Sequence, residues 1–315
     1  MDINKVYEIK TVSIIGLGAL GILYGHHLAK GMPYENLRII ADKNRISRYE
    51  KEKLFCNGER CAFHYMTPDQ ECEPADLIIF TVKYQGLQQA IDAIGKHVGD
   101  NTIIISALNG ITSEEMIGEV YGMDKILYCV AQGMDAVKEG NLLTYDHMGM
   151  LVFGNGDLNN NSSDLFLRVQ AVDEFFNLMQ IPHMVDQDMN KRMWGKFMLN
   201  VGVNQTVAVI EGNYGEVQKD GEPRDRMIAA MREVITLSVQ EGINLTEDDL
   251  NYWLGILGTL NLEGKPSMRQ DLEARRYSEV ELFAGTVLKL GKKHHIETPV
   301  NQELYDNIIS TEQLY

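Results

Sequence analysis

The chain has 315 residues, 44% of them hydrophobic and 23% charged, a composition typical of a globular protein long enough for two ordinary domains. Its 45 Asp and Glu outnumber its 29 Lys and Arg, giving a formal net charge of −16 that argues against nucleic acid and anionic membranes as partners. The N-terminus lacks a signal-peptide pattern, no stretch is apolar enough to span a bilayer, and the four cysteines lack metal-ligand spacing. We therefore expect a cytoplasmic protein with reduced thiols and no metal site.

The first half of the sequence alternates short β-branched runs with helical patterns. This alternation indicates βαβ units, and so a mainly parallel, doubly wound Rossmann-like sheet with helices on both faces. The predicted strands cover residues 11–15, 37–41, 77–82, 102–106 and 126–130, and the predicted helices cover 19–30, a segment from 43, 85–94 and 113–119. Residues 140–155 suggest a hairpin appended to the sheet, followed by a helix over 164–179 and a strand over 182–185. An Asn-rich stretch, 159–163, suits a surface loop.

After residue 186 the pattern becomes helical throughout. Helices are predicted over residues 194–209, 224–240, 247–257, 277–289 and 301–309, without convincing strands between them. We therefore divide the chain into a dinucleotide-binding α/β domain, residues 1–186, and an all-α substrate and catalytic domain, residues 187–315. Helical second domains of this size often support dimerisation, so a homodimer is one expectation that the sequence leaves open.

A glycine-rich hexapeptide follows the first predicted strand at once and opens the first predicted helix. Its glycines match the G-x-G-x-x-G dinucleotide fingerprint, in the strand-to-helix context that the fingerprint requires. The helix N-terminus offers free N–H groups and a positive dipole to a pyrophosphate. The candidate cofactor-binding residues are Gly16, Leu17, Gly18, Ala19, Leu20 and Gly21.

Three charged residues at the end of the second predicted strand bear on the choice of cofactor. Asp42 lies where an acid binds the adenosine ribose of NADH, whereas Lys43 and Arg45 can hold the 2′-phosphate of NADPH. The alternative is that all three belong to a solvated loop. The sequence leaves this choice open.

Polar residues also follow two other predicted strands. Lys83 lies just past the strand over 77–82, and Asn109 with Gly110 lies past the strand over 102–106. Ligands of open α/β sheets bind outside the carboxyl ends of the strands, so both are placed to contact a nicotinamide ribose or a substrate. Each is otherwise an ordinary loop residue.

Residues 193–209 are apolar apart from one polar stripe formed by Lys196, Asn200 and Asn204. Spaced i, i+4 and i+8, the three side chains stack along one face of a helix. A helix that is apolar on its other sides belongs in an interior, where water cannot satisfy an ammonium and two amides. The stripe is therefore predicted to meet another segment or a small, anionic, oxygen-rich ligand.

Taken together, these motifs resemble the ketopantoate reductase (2-dehydropantoate 2-reductase) family over nearly the whole chain. The resemblance rests on GLGALG at 16–21, VKYQ at 82–85, NG at 109–110, GKFMLNVGVN at 195–204 and PSMRQDLEARRYSEVE at 266–281. It implies NADPH-dependent reduction of a 2-keto acid, ketopantoate to pantoate in pantothenate biosynthesis, on a Rossmann-like domain joined to a helical one. NADH is the alternative cofactor.

The resemblance also assigns roles to individual residues. It makes Lys196 the general acid, Asn200 and Asn204 substrate ligands, and Glu279 a residue between cofactor and substrate. It makes Lys83, Asn109 and Ala136 cofactor contacts, and Ser267 with the residues after it the turn that receives the substrate carboxylate. One departure stands out, because Tyr214 precedes Gly215–Glu216 where the family often has a substrate-binding Asn, and this puts the identity of the keto acid in doubt.

The site residues also have plainer interpretations. Lys196 can be held in a buried ion pair with Glu279, Ser267 can serve only as an N-cap, and Glu279 can lie on the solvated face of the charged run that contains Arg275 and Arg276. At the level of function, the alternatives are a related dehydrogenase of another 2-keto acid, a 3-hydroxy acid or an opine, and a non-catalytic NADPH-binding redox sensor.

Overall fold

The computed structural model describes residues 6–156 and 163–315, and the chain divides into two compact units, Met1–Met189 and Asn190–Tyr315. The Asn-rich stretch lies outside the described residues except for Ser163. No helix in the described part of the chain is both long and apolar enough to cross a bilayer.

Unit 1 contains two β-sheets. Its strands are β1 (Val12–Ile15), β2 (Leu37–Ile40), β3 (Phe55–Cys56), β4 (Glu59–Arg60), β5 (His64–Met66), β6 (Leu77–Phe80), β7 (Ile103–Ser106), β8 (Ile126–Gln132), β9 (Val137–Glu139), β10 (Leu142–Thr144), β11 (Met150–Gly154) and β12 (His183–Val185). The main sheet has the order β12-β11-β8-β7-β6-β1-β2-β5, and every neighbouring pair is parallel except β8 and β11. A small second sheet has the order β4-β3-β10-β9.

Helices cover both faces of the main sheet. They are α1 (Ala19–Ala29), α2 (Lys43–Glu52), α3 (Leu87–Ala93), α4 (Ser113–Tyr121) and α5 (Ser163–Leu178). Val12 and Ile14 of β1 belong to a core cluster shared with α1 and α5, whereas Ile15 belongs to one shared with α3 and α4. Successive strand residues therefore point to opposite, buried faces, as a doubly wound sheet requires.

The predicted hairpin over 140–155 is wrong. Its first half, β10, pairs with β9 and β3 in the small sheet, whereas its second half, β11, pairs with β8 and β12 in the main sheet. The Asp135 carboxylate accepts the backbone N–H groups of Asp146 and His147 at 3.0 and 2.8 Å, which fixes the connection between β10 and β11. Alternating hydrophobicity identifies strands but not their partners.

Unit 2 is helical. Its helices are α6 (Met189–Val209), which starts at the last residue of unit 1, α7 (Tyr214–Gln218), α8 (Glu222–Gln240), α9 (Glu247–Leu257), α10 (Ser267–Glu273), α11 (Thr286–His294) and α12 (Pro299–Glu312). The helix predicted over 277–289 is instead a π-helical turn, Glu281–Gly285, that runs into α11.

Two glycines let α6 approach its neighbours closely. A Cβ atom on Gly195 would lie 2.1 Å from Nε1 of Trp253 on α9, and one on Gly202 would lie 2.5 Å from Cγ of Met231 on α8. Both helices therefore pack against the backbone of α6, which fixes this helix inside unit 2.

We expect Gly195→Ala to lower the stability of the chain by about 1–3 kcal/mol, because the rigid indole of Trp253 cannot move away from the added methyl group. Gly255→Ala on α9 is the matched control, since a Cβ atom there meets nothing within 4 Å. That change should be neutral or stabilising by up to about 1 kcal/mol, because alanine favours helix. Thermal unfolding of both variants checks the prediction, which fails if their melting temperatures coincide.

Candidate active site

The glycine loop has the backbone geometry that its sequence demands. Gly16 has a φ of +102°, and a Cβ atom there would lie 2.7 Å from the Val82 nitrogen. A Cβ atom on Gly21 would lie 1.9 Å from the Gly16 carbonyl oxygen. Gly18 differs, because its Cβ atom would meet only the Thr81 oxygen, at 3.6 Å. The fold therefore requires glycine at 16 and 21 but leaves open space over Gly18.

The N-terminus of α1 keeps backbone donors available. The first intrahelical bond runs from the Ile22 N–H to the Gly18 carbonyl at 3.1 Å, so α1 supplies no acceptor for the amides of Ala19, Leu20 and Gly21. Free amides at a helix N-terminus, beside open space, form a suitable site for a pyrophosphate.

Thr81 fixes the glycine loop to the end of β6 and was not predicted as a site residue. Its hydroxyl donates to the Gly16 carbonyl at 2.6 Å, and lies 3.2 Å from that of Ile15. The strand that was predicted to reach residue 82 ends at Phe80, so Thr81 and Val82 belong to the loop. A threonine directly after a strand next to a glycine loop is the signal that could have found this role.

The register of the sheet places several candidate residues at one edge. Ile15 pairs with Phe80, and Phe80 with Ser106, so β1, β6 and β7 end together. The glycine loop, Lys83 and Asn109 follow these three ends directly. Ala136 lies four residues past the end of β8, which runs parallel to β7. Open α/β folds bind ligands at this edge of the sheet. The cofactor contacts that were predicted to follow strand ends all lie in loops that begin at this edge.

Asp42 serves as the N-cap of α2. Its carboxylate accepts the backbone N–H of Arg45 at 2.9 Å and forms an ion pair with Nε of Arg45 at 3.3 Å. Lys43 and Arg45 are exposed in the first turn of the helix. These residues therefore form a capped helix N-terminus and not a loop, although Lys43 and Arg45 are solvated as the plainer interpretation expects.

In unit 2 the polar stripe of Lys196, Asn200 and Asn204 lies on α6, as its i, i+4 and i+8 spacing predicts. Lys196 and Asn200 are half-buried, Asn204 is only 7% exposed, and Phe197, Met198 and Val201 beside them are buried. Within the described part of the chain, neither Asn amide makes a hydrogen bond. One half-buried and one buried amide without protein partners are thus available to a ligand.

A second polar group on α6 was missed. Gln205 is fully buried, and its amide donates to the Val201 carbonyl at 2.8 Å and to Oδ1 of Asn301 at 3.1 Å. Its oxygen accepts the backbone N–H of Ala284 at 3.0 Å. The helix is therefore not apolar outside its stripe, but this additional amide is satisfied by protein. Gln205 follows Asn204 directly, and sequence alone did not separate their roles.

Gln205 also accounts for the π-helical turn before α11. Because the Ala284 N–H bonds to Gln205, it is not used within the turn, and the Gly285 N–H reaches back five residues to the Val280 carbonyl at 3.0 Å. Glu279 lies two residues before this turn, and its carbonyl accepts the N–H of Leu282 at 2.9 Å. Glu279 is half-buried between the buried Ser278 and Val280, so it does not lie on the exposed face of residues 273–277.

Ser267 is not the N-cap of α10. Pro266 occupies that position, and Ser267 is the first helical residue, exposed and without a side-chain capping bond. The first intrahelical bond runs from the Gln270 N–H to the Pro266 carbonyl at 3.1 Å, so α10 leaves the amides of Met268 and Arg269 without an acceptor. The hydroxyl is therefore not needed to start the helix.

Tyr214 anchors the segment before α10. Its N–H donates to the Gly264 carbonyl at 2.9 Å, and its ring packs so closely that a Cβ atom on Gly264 would lie 3.0 Å from Cδ2. Burial raises the pKa of the Tyr214 hydroxyl to about 12, so it stays protonated at neutral pH. Asn213 donates from Nδ2 to Glu263 at 3.1 Å. The aromatic ring thus replaces the amide expected at this corner.

Comparison with known proteins identifies the family. The family model described as ketopantoate reductase PanE/ApbA matches residues 12–157, and its C-terminal counterpart matches residues 188–312. The chain belongs to the ketopantoate reductase family. It is thus a pyridine-nucleotide-dependent oxidoreductase acting on a CH–OH group, which confirms the sequence-based resemblance.

Relatives match over nearly their whole length. The 2-dehydropantoate 2-reductase of Aquifex aeolicus is 24% identical over 96% of this chain and 96% of its own length. The same enzyme of Streptococcus pyogenes is 24% identical over 91% of this chain and 93% of its own.

Solved structures show the same fold. A ketopantoate reductase from Ralstonia eutropha has a TM-score of 0.81 and 21% identity, covering 96% of this chain and 98% of that one. A D-mandelate dehydrogenase bound to NADH and anilino(oxo)acetate has a TM-score of 0.84 and 19% identity, with the same coverage. These likenesses confirm the predicted fold class.

Substitutions at two glycines of the loop should separate an effect on folding from an effect on cofactor binding. Gly18→Ala should keep the melting temperature within about 2 °C but weaken dinucleotide binding at least about tenfold, because its methyl group enters the open space over the loop. Gly21→Ala should lower the melting temperature by several degrees, because its Cβ atom overlaps the Gly16 carbonyl. Thermal unfolding and fluorescence titration measure both effects. Unchanged dinucleotide affinity in Gly18→Ala would contradict the pyrophosphate assignment.

Proposed function

We propose that this protein reduces a 2-keto acid to the 2-hydroxy acid with NADPH, with ketopantoate as the substrate and pantoate as the product. Membership of the ketopantoate reductase family and relatives named 2-dehydropantoate 2-reductase support this proposal. The cytoplasmic location expected from the sequence stays a prediction. We also propose a homodimer, in line with a neighbour described as a dimeric ketopantoate reductase from Staphylococcus aureus.

The observation that carries the proposal is the polar stripe on α6. Lys196, Asn200 and Asn204 lie on a helix whose other sides are buried, and the two amides have no hydrogen bond in the described part of the chain. The side-chain amide of Gln205 on the same helix makes its hydrogen bonds with protein groups. The fold can therefore provide partners for a buried amide. Two amides without protein partners on such a helix suit a ligand rich in oxygen atoms.

The residues of the stripe match the chemistry of carbonyl reduction. The dihydronicotinamide supplies a hydride when the cofactor is bound, and negative charge then develops on the keto oxygen. The Lys196 ammonium would stabilise that charge and donate the proton that completes the alcohol. Asn200 and Asn204 would orient the substrate oxygens by hydrogen bonds, and Glu279, two residues before the π-helical turn, would contact both substrate and nicotinamide ribose.

The substrate carboxylate has a separate candidate site. The exposed Ser267 hydroxyl and the amides of Met268 and Arg269, which α10 leaves without acceptors, together supply three donors. Since the hydroxyl does not cap the helix, binding the carboxylate is the role we assign to it. This assignment would make Ser267 a determinant of keto-acid affinity and not of turnover.

Preference for NADPH is proposed from the first turn of α2. Lys43 and Arg45 are exposed there and can meet a 2′-phosphate, while both oxygens of the Asp42 carboxylate already contact Arg45. The acid that would favour NADH is therefore partly engaged by the protein.

A second candidate function is reduction of a different 2-keto acid. Tyr214 stands where an Asn is expected, and the D-mandelate dehydrogenase with a TM-score of 0.84 was solved with NADH and an aryl-bearing oxoacetate. An aromatic ring in this corner favours a bulkier, less hydroxylated side chain on the keto acid.

A spectrophotometric screen tests both functions. NADPH and NADH oxidation are followed against ketopantoate, other branched 2-keto acids, phenylglyoxylate and pyruvate. The proposal expects the highest kcat/KM for the NADPH–ketopantoate pair. A higher kcat/KM for phenylglyoxylate would select the second candidate, and oxidation with none of these acids would reject both.

Lys196→Ala should lower kcat by about 10³-fold or more and leave the NADPH dissociation constant within about threefold, because the ammonium acts on the reacting oxygen. Lys191→Ala is the matched control on the same helix, since Lys191 pairs with Asp249 at 3.0 Å at the surface. That control should keep kcat within about twofold. Steady-state kinetics and fluorescence titration measure the two effects, and near-normal turnover in Lys196→Ala would overturn its assignment.

A further inference from the structure

A buried hydrogen-bonded chain lies at the base of the loop formed by residues 107–112. Ser106 ends β7, and Ser113 and Glu114 begin α4; their side chains are 1%, 3% and 1% exposed. The two serine hydroxyls lie 2.8 Å apart, and Ser113 Oγ lies 2.8 Å from Oε2 of Glu114. Within the loop, the Leu108 N–H lies 3.4 Å from Ser106 Oγ, which accepts it.

The carboxylate sets the direction of this chain. Each serine hydroxyl has one hydrogen, and that of Ser113 is donated to Glu114. Ser113 must then accept the hydrogen of Ser106, which leaves the lone pairs of Ser106 to accept the Leu108 N–H. The acceptor at position 114 therefore orients two hydroxyls and one amide of the loop.

Glu114 is a buried acid with no cation paired to it among the described residues. It takes part in no ion pair in the described part of the chain, and its Oε1 is buried without a hydrogen-bond partner. Burial raises the pKa of this carboxyl to about 7, although hydrogen bonds from Ser113 and from the backbone of Glu114 and Cys129 act to lower it. Burying such a group without a cation costs free energy, so its presence indicates a role beyond packing.

We propose that Glu114 is a positioning residue that, through Ser113 and Ser106, holds the loop 107–112 in the conformation that presents Asn109 to the nicotinamide end of the cofactor. The ligand named here rests on the proposed function, because Asn109 is a cofactor contact only if the carboxyl edge of the sheet binds the dinucleotide. The positive φ of Gly110, +93°, shows that this loop needs a special backbone geometry directly after Asn109. A hydrogen bond at Leu108 restrains the loop on the other side of Asn109.

Four variants test this series of hydrogen bonds between Glu114 and the loop. Glu114→Leu removes the terminal acceptor, and Ser113→Ala breaks the chain in its middle with a change too small to prevent folding. Glu114→Gln keeps both the shape and an acceptor oxygen, so it should rescue the effect. Glu115→Leu is the matched control, because Glu115 is the next residue of the same helix but is exposed.

The first readout needs no ligand. Hydrogen exchange of the full chain, followed by mass spectrometry, should show amides of residues 107–112 exchanging about fivefold faster in Glu114→Leu and Ser113→Ala. Glu114→Gln and Glu115→Leu should match the unmodified chain within about twofold. Melting temperatures should not fall in Glu114→Leu, because that change removes a buried acid that lacks a cation.

The second readout is the NADPH dissociation constant from fluorescence titration. It should rise about fivefold to tenfold in Glu114→Leu and Ser113→Ala and stay unchanged in the other two variants. Loop exchange that is the same in all four variants, or Gln at 114 behaving like Leu, would overturn the positioning role. If the unmodified chain does not bind NADPH at all, the proposed function fails, while the exchange data still decide whether Glu114 orders the loop.

Discussion

Polar groups on a buried helix need hydrogen-bond partners, and this constraint determines how the helices of unit 2 are connected. On α6, Gln205 meets protein donors and acceptors at every position of its amide, and this ties α6 to α12 and to the π-helical turn. Asn200 and Asn204 lie on a different face of the helix and make no hydrogen bond within the described part of the chain. The same residue class therefore has two environments on one helix: one amide is satisfied by protein groups, and two have no partner among the described residues, which is why we propose them as ligand contacts.

This arrangement also shapes the segment that carries Glu279. Because Gln205 takes the N–H of Ala284, the helix cannot continue its ordinary ladder, and the π-helical turn results. Glu279 lies two residues before this turn and is half-buried, whereas residues 273–277 are exposed. The N–H groups of Leu282 and Phe283 donate to the Glu279 carbonyl, so the Gln205 side chain and the Glu279 backbone are both hydrogen-bonded to this segment.

The sequence was sufficient to predict those features for which a local pattern permits only one structure. The stripe on α6, the glycine geometry at Gly16 and Gly21, and the buried strands β1, β6 and β7 all follow from spacing and sterics. It was insufficient where the outcome depends on a distant partner. The pairing of β10 with β3 and the bond from Ala284 to Gln205 join residues whose contact no local pattern encodes.

The cofactor edge shows how such distant contacts refine a sequence motif. The fingerprint glycines explain the turn, but the Thr81 hydroxyl fixes that turn to β6, and the register of β1, β6 and β7 brings the loops to one edge. At the next strand end, Asp42 is held by the backbone and the side chain of Arg45 as a helix cap. To bind a ribose, this carboxylate would have to share or release those bonds, whereas exposed Lys43 can meet a phosphate without cost to the fold. The glycine motif does not distinguish the two dinucleotides, and the capping interaction is the observation that supports our proposal of NADPH.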